Sequence, residues 1–257
     1  MDIYKALYLL PVGISDAPLD DVLPAMNIEI LKGIRYFIVE NVRTARRFIK
    51  KCHPAADISS LTFYELNGFT PEAEVSGFLE PLRRGEAMGV MSEAGCPGVA
   101  DPGALPVRIA QKEGFRVIPL VGPSSILLSL MASGFNGQNF AFHGYLPVGD
   151  SERERKIKEL ESEGLRRDMT QIFIETPYRN QKMFESLLKT LRTDTLLCVS
   201  SAVTDPLKQS IITKSVGDWK AGCQEIGKVP TIFLFYNESS GSSKGTTERH
   251  GKKKNFI

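Results

Sequence analysis

The chain has 257 residues, 42% of them apolar and 24% charged, with a formal net charge of +2. That length supports one large domain or two smaller ones, each with its own core, and the composition is that of a globular protein. A charge of +2 does not by itself imply a nucleic-acid partner, so the distribution of basic residues matters more than their sum.

No run approaches the roughly 20 apolar residues of a membrane span, so no membrane partner is expected. Met1-Asp2-Ile3-Tyr4-Lys5 leads directly into Ala6-Leu7-Tyr8-Leu9-Leu10 without a signal-peptide pattern, which makes a cytoplasmic protein the expectation. Cys52, Cys96, Cys198 and Cys223 form no Cys-x-x-Cys pair. With His53, His143 and His250 scattered, free thiols and no metal site are expected.

Ala6 to Leu10 reads as a buried strand that stops at Pro11-Val12-Gly13. A second strand, Tyr36 to Glu40, precedes a basic helix over Arg43 to Lys51. On it Ala45, Phe48, Ile49 and Cys52 fall at i, i+3, i+4 and i+7, leaving the arginines either on a solvated face or against phosphates. Thr62 to Leu66 is a short strand, and Thr70-Pro71-Glu72 opens a helix with threonine as N-cap and proline at the first helical position.

The apolar run Ala87 to Met91 then leads into Ser92-Glu-Ala-Gly-Cys-Pro-Gly-Val-Ala-Asp-Pro-Gly103. Three glycines and two prolines in these twelve residues exclude a continuous helix or a central strand. Such a turn is either a tight strand-to-helix connection or a loop whose backbone meets a ligand. A helix from Ala104 to Lys112 ends near Gly114, Arg116 to Val121 is a strand, and Gly122-Pro123-Ser124-Ser125 precedes an apolar helix over Ile126 to Ala132. This alternation predicts a mostly parallel α/β sheet, whose ligands bind beyond the carboxyl ends of the strands, at the loops containing Pro11, Ser92 and Gly122.

The second half differs in texture. Asn139 to Tyr145 is a strand, and Ser151-Glu-Arg-Glu154 reads as a capping box opening a charged, largely solvated helix. Thr170 to Glu175 is a strand followed by Thr176-Pro177 as a second N-cap and N1 pair; in the ensuing helix Phe184, Leu187, Leu188 and Leu191 share the inward face. Leu196 to Ala202, Ser210 to Ser215 and Val229 to Tyr236 are strands with only a short helix between them, which implies antiparallel pairing. The predicted division is an N-terminal α/β domain over 1–121, a C-terminal α+β domain over 122–237 and a disordered tail over 238–257. Within that tail Gly251-Lys-Lys-Lys254 is either a solubilising end or a contact for RNA.

No Gly-x-x-x-x-Gly-Lys-[Ser/Thr] loop is present, no Gly-x-Gly-x-x-Gly follows a strand, and no Gly-x-Ser-x-Gly elbow occurs. A P-loop NTPase, an ordinary dinucleotide or Rossmann methyltransferase fold and an α/β-hydrolase are thereby disfavoured. Residues 92–103 resemble instead the Ser-Asp-Ala-Gly-Thr-Pro-x-x-Ser-Asp-Pro-Gly loop of the tetrapyrrole methylase superfamily, in its branch of small-subunit ribosomal RNA ribose 2′-O-methyltransferases. Pro119-Leu-Val-Gly-Pro-Ser-Ser125, Phe142-His-Gly-Tyr-Leu-Pro147 and Phe173-Ile-Glu-Thr-Pro-Tyr-Arg179 are similar to three further motifs of that branch, in the same order.

The resemblance implies two α/β domains, an S-adenosylmethionine cofactor in the cleft between them, a methyltransferase activity and a homodimer. Carried over by position, the cofactor-binding residues are Pro11, Gly13, Ser92, Gly95, Pro97, Asp101, Ser124, Ser125, Glu175, Thr176 and Pro230. Arg43, Arg46, Arg47 and Arg179 would contact the phosphates of an RNA acceptor in the small ribosomal subunit. A ribose hydroxyl benefits from a base, for which Glu40, Glu175 and Tyr178 are the candidates.

The departures concern the acceptor. The branch's Thr-Pro-Ile-Gly-Asn is Leu10-Pro-Val-Gly-Ile14 here, its Glu-Asp-Thr-Arg is Glu40-Asn-Val-Arg43, and a histidine-rich turn near Tyr64 to Asn67 has lost its histidines. Ala202-Val-Thr-Asp205 stands where the branch has Glu-Leu-Thr-Lys, and Asp205-Pro-Leu-Lys-Gln209 is similar to a turn of the tetrapyrrole-modifying relatives. A methylase of a small molecule such as a tetrapyrrole is the alternative reading, and a cofactor-binding protein without turnover the third.

Overall fold

The structure is a computed structural model that describes residues 3–222 and 224–237. Cys223, His250, the predicted tail and its lysine run lie outside the described residues.

The first strand, β1 (Leu7–Leu9), is followed by a short helix α1 (Leu19–Val22), α2 (Ala25–Lys32), β2 (Tyr36–Val39) and α3 (Val42–Cys52). Next come β3 (Thr62–Glu65), α4 (Glu72–Phe78), α5 (Glu80–Arg83), β4 (Met88–Met91), α6 (Ala104–Lys112) and β5 (Val117–Pro119). These strands form one sheet in the order β3-β2-β4-β1-β5 with every pairing parallel.

Side chains alternate through this sheet. Ala6, Tyr8, Leu10, Phe37 and Val39 join Ile30 and Leu31 of α2 and Ala45, Ile49 and Cys52 of α3 in one core. On the other face Leu7 and Ile38 join Val75 and Phe78 of α4, Leu82 of α5 and Ile109 and Ala110 of α6. Helices thus cover both faces, and the continuous apolar strands follow from two-sided burial.

The chain continues through α7 (Ser125–Ser133), β6 (Phe140–Tyr145), α8 (Asp150–Arg167), β7 (Thr170–Glu175), α9 (Asn180–Thr190), β8 (Leu196–Ser201), β9 (Ser210–Ser215), α10 (Val216–Ala221) and β10 (Thr231–Tyr236). The second sheet runs β6-β7-β10-β8-β9. It is antiparallel except for β6 beside β7, the pair joined through the crossover helix α8. Phe173, Phe233 and Phe235 pack with α8, α9 and Trp219 of α10 on one face. Ile172, Ile232 and Leu234 pack with Ile126 and Leu130 of α7 on the other.

Three predicted helix starts move. Thr70 does not cap α4: its hydroxyl accepts from the Asn67 amide at 3.1 Å, closing the preceding turn, and the helix begins at Glu72 after Pro71. Ser151 lies inside the first turn of α8, which starts at Asp150 after Gly149 without a side-chain cap. Thr176-Pro177 opens a single 3₁₀ turn over Pro177–Arg179, and α9 begins only at Asn180. Residues 19–32, which carry no strong periodicity between Pro18, Pro24 and Gly33, supply two helices that the sequence did not announce.

Helix α3 starts one turn after β2 because Asn41 accepts from the amides of Arg43 at 2.9 Å and Thr44 at 3.3 Å. The asparagine that replaces the branch's aspartate therefore performs the work of an N-cap, which either residue can do. Asn41→Ala is expected to destabilise the protein by about 1 kcal/mol in chemical denaturation, whereas Asn41→Asp should leave the midpoint within error.

Candidate active site

The carboxyl ends of β1, β4 and β5 are adjacent in the first sheet, and the loops that leave them are tied to one another. Val12 donates its amide to the Gly95 carbonyl at 3.0 Å, the bridge that joins the β1 and β4 loops. The Cys96 thiol points at the Pro123 carbonyl at 3.4 Å, linking the β4 and β5 loops. Pro11 closes the triangle: a Cβ on Gly122 would come within 2.1 Å of the Pro11 Cβ, so only glycine lets these two loops touch. Gly95 and Gly98 have φ of +76° and +79°, and Ala100 holds a φ of +64° despite its side chain. Left-handed backbone at a non-glycine residue is strain concentrated in the loop that meets the cleft.

Beyond these loops lies a cleft of about 320 Å³, shared between the two sheets. The first sheet contributes Ile14, Gly95, Cys96, Val99, Ala100 and Asp101. The second contributes Phe142, Tyr145, Ile174, Glu175, Thr176 and the Pro230-Thr231-Ile232 segment, with Ser124, Ser125 and Ile126 at the start of α7. A hydrogen bond of 2.9 Å between the hydroxyls of Ser15 and Thr204 joins the lobes beside it. Ser124 caps α7 by accepting from the Leu127 amide at 3.4 Å. The amide end of this nine-residue helix therefore opens on the cleft.

Two carboxylates line it, one from each lobe. Burial pushes the Asp101 carboxyl up to about 6; Glu40 and Glu93 add repulsion, and a hydrogen bond from Ser92 opposes them. Glu175 is buried, and its Oε1 accepts from the Thr176 amide at 2.6 Å and from Arg179 Nε at 2.9 Å, with Arg179 Nη2 at 2.6 Å. Arg179, expected to contact phosphates, thus folds back onto Glu175. Asn180, fully buried, donates to the Val229 carbonyl at 2.7 Å and so holds the backbone on which Pro230 and Thr231 reach the cleft.

Of the residues expected at the cofactor, Gly95, Asp101, Ser124, Ser125, Glu175, Thr176 and Pro230 come together around this cleft. The other four face elsewhere. Pro11 is packed beneath Gly122, Pro97 and Ser92 border a small void beside Glu40 and Leu66, and Gly13 opens with Ser92 onto a separate groove against Thr44, Phe48 and Lys51. Glu40 lies outside the cleft, its Oε2 accepting from the Glu93 amide at 3.4 Å. Tyr178 is 83% exposed at the rim. Arg43, Arg46 and Arg47 are exposed on α3, with the Arg46 guanidinium 5.3 Å from the Phe63 ring centroid. The apolar walls Phe142, Ile174 and Ile232 escaped the sequence reading because they read as ordinary strand residues, whereas Val99 belongs to the loop over 92–103 that the sequence singled out.

The methyltransferase CobJ has a similar structure, with a TM-score of 0.59 and 18% identity over 91% of this chain and 94% of its own. The cobalamin biosynthetic enzyme cobalt precorrin-4 methyltransferase CbiF follows at 0.54 and 16%, covering 90% of this chain and 95% of its own. The "Ribosomal RNA small subunit methyltransferase I" of Bacillus subtilis is 32% identical over 186 residues, which are 72% of this chain and 59% of that protein. Its Vibrio cholerae counterpart is 28% identical over 185 residues, 72% of this chain and 60% of its own. The chain is similar in sequence to these small-subunit methyltransferases and shares the fold of CobJ and CbiF, the tetrapyrrole methylase fold. It spans less than two thirds of the length of the curated relatives, between 49% and 60% in the Haemophilus influenzae and Vibrio cholerae cases. No protein-family model matches it.

In this methylase fold the Pro11–Gly122 contact fixes where the cleft's first wall stands. Gly122→Ala forces the loops apart, with an overpacking cost of about 1–3 kcal/mol. Thermal unfolding should shift down by several degrees and affinity for any cleft ligand should fall, whereas Gly137→Ala, with nothing within 4 Å of its added methyl, should change neither.

Proposed function

We propose that the cleft binds S-adenosylmethionine and that the protein transfers its methyl group to a ribose 2′-hydroxyl of small-subunit ribosomal RNA. The observation that carries the reading is the pair Asp101 and Glu175, two carboxylates from opposite lobes in a cleft otherwise lined by apolar and hydroxyl side chains. Such a site favours a ligand that is apolar in bulk and cationic at one point, and its volume lies in the range of small-molecule sites. S-adenosylmethionine fits this donor set. The apolar walls suit the adenine, the hydroxyls of Ser124 and Ser125 and the amide end of α7 suit the methionine carboxylate, and the two acids suit the sulfonium and ammonium charges. We infer a division into residues 1–121 and 122–237, with the ligand between them, and a homodimer acting in the cytoplasm.

When bound, S-adenosylmethionine supplies an electrophilic methyl carried on sulfur. The chain's part is alignment and exclusion of water. Val99, Phe142, Ile174 and Ile232 keep the cleft dry, and Glu175, fixed by Arg179 and the Thr176 amide, is the candidate base that can accept the ribose proton without having to search for its position. Arg43, Arg46 and Arg47 stand outside the cleft, where an RNA backbone rather than a small acceptor would meet them. Helix α3 is connected to the cleft loop through the Thr44 hydroxyl, which donates to Glu93 at 3.2 Å.

Purified protein is expected to transfer labelled methyl to small ribosomal subunits, and replacement of Arg43, Arg46 and Arg47 together by alanine should abolish transfer while calorimetry shows unchanged binding of the methyl donor. Labelling of a tetrapyrrole and not of RNA overturns the acceptor, and donor binding without transfer to either acceptor supports a protein without turnover.

The sign of the pH dependence follows from Asp101. A carboxyl whose value is raised by burial contributes most to stability below about pH 4 and loses that contribution as pH rises through about 6, because ionisation is what burial opposes. A cationic ligand reverses the balance by favouring the ionised form. Affinity for S-adenosylmethionine should therefore rise between pH 5 and about 7, and Asp101→Asn should weaken binding at neutral pH and flatten the profile; an unchanged profile removes Asp101 from the donor site.

A further inference from the structure

Tyr178 and Lys228 have no part in the cleft itself, yet each is next to it in the chain. Tyr178 follows Pro177, which lines the cleft, and Lys228 lies two residues before Pro230, which also lines it. The tyrosine ring is 83% exposed and its hydroxyl makes no hydrogen bond among the described residues. The Lys228 ammonium lies 5.8 Å from the ring centroid and has no carboxylate partner among the described residues. A large ring is thus left to water next to the cleft, with a cation over one face that is unneutralised among the described residues. The ring is held there because its neighbours are fixed: Arg179 is bonded to Glu175, and Asn180 is bonded to the carbonyl of Val229.

We propose that the Tyr178 ring, with Lys228 over one face and the other face open, is a stacking platform for an unpaired RNA base next to the methylated nucleotide. The inference rests on the reading of RNA as acceptor. Base stacking needs a flat exposed ring and tolerates any base, and the adjacent phosphate needs a free cation; both are supplied here by the two segments that bound the cleft. A phenol in this position contributes its face, so the hydroxyl is dispensable and Tyr178 is not the base.

The probe is a short single-stranded oligoribonucleotide carrying 2-aminopurine, whose fluorescence falls on stacking. Wild-type protein should quench it, and the same strand annealed to its complement should be quenched far less. Tyr178→Ala should remove the quench and weaken binding about tenfold, within the range for loss of one stacked base. Tyr178→Phe should retain both, and Lys228→Gln should weaken binding with a shallower salt dependence. Because the side chain is exposed, the variants should match wild type in thermal unfolding and in affinity for S-adenosylmethionine. Equal quench and affinity in Tyr178→Ala overturns the platform, as does a Tyr178→Phe variant that loses as much as the alanine, or a wild-type protein that binds S-adenosylmethionine but quenches no oligoribonucleotide. Failure of the RNA reading shows separately, as absence of methyl transfer from wild-type protein to small ribosomal subunits.

Discussion

The geometry of the cleft depends on one close approach, the seating of Pro11 against a residue that has no side chain. Gly122 admits the proline ring, and the β1 and β5 loops are thereby brought into contact over the end of the parallel sheet. With those two fixed, the β4 loop has one place to go, and the Val12–Gly95 bridge and the Cys96 thiol record how it is held. A parallel sheet always leaves its strand ends facing one side. Here that general property becomes a particular wall because glycine and proline were paired across two loops far apart in sequence.

The second wall is organised around charge rather than close packing. Glu175 is buried at the cleft, and a buried carboxylate needs partners. Arg179 and the Thr176 amide satisfy Oε1, and the 3₁₀ turn that brings Arg179 back to its own strand end delays the start of α9 to Asn180. That delay puts Asn180 where its amide can reach the strand-end segment before β10. The acid, the arginine and the asparagine therefore form one mechanical unit: the charge on Glu175 explains the turn, and the turn explains the support beneath Pro230 and Thr231.

Much of the fold was legible because strands in a doubly covered sheet are short, apolar and bounded by turn residues. Thr170–Glu175 was bounded correctly to the residue, as was the more exposed edge strand Ser210–Ser215. Helix starts were less legible, since Thr70, Ser151 and Thr176 each have the chemistry of a cap but the first spends its hydroxyl on a turn and the other two make no cap bond. At the site, the loops that reach the cleft could be read from glycine, proline and serine, but which side of each loop faces inward could not. Pro97 and Ser92 belong to the same twelve residues as Gly95 and line a different void, while Asp101 borders both. Burial of Ile232 at the cleft and of Ile172 in the core leaves the same trace in sequence, an apolar residue.

The arginines show what the departures from the methyltransferase branch mean physically. Loss of the aspartate after Glu40 removes no structure, because Asn41 caps α3 through the same two amides an aspartate would accept from. The helix therefore keeps its start and its exposed Arg43, Arg46 and Arg47, while one negative charge disappears from the neighbourhood of Glu40, Glu93 and Asp101. Arg179, the arginine nearest the cleft in sequence, is already committed to Glu175. Among the described residues, the positive charge of Arg43, Arg46 and Arg47 thus lies outside the cleft, while the charged residues that line it are the acids Asp101 and Glu175. A small polycarboxylate entering the cleft would meet acids; a polyanion lying across its mouth would meet arginine on one lobe and lysine on the other. That separation, more than any single motif, is the charge pattern on which the proposal of an RNA acceptor rests.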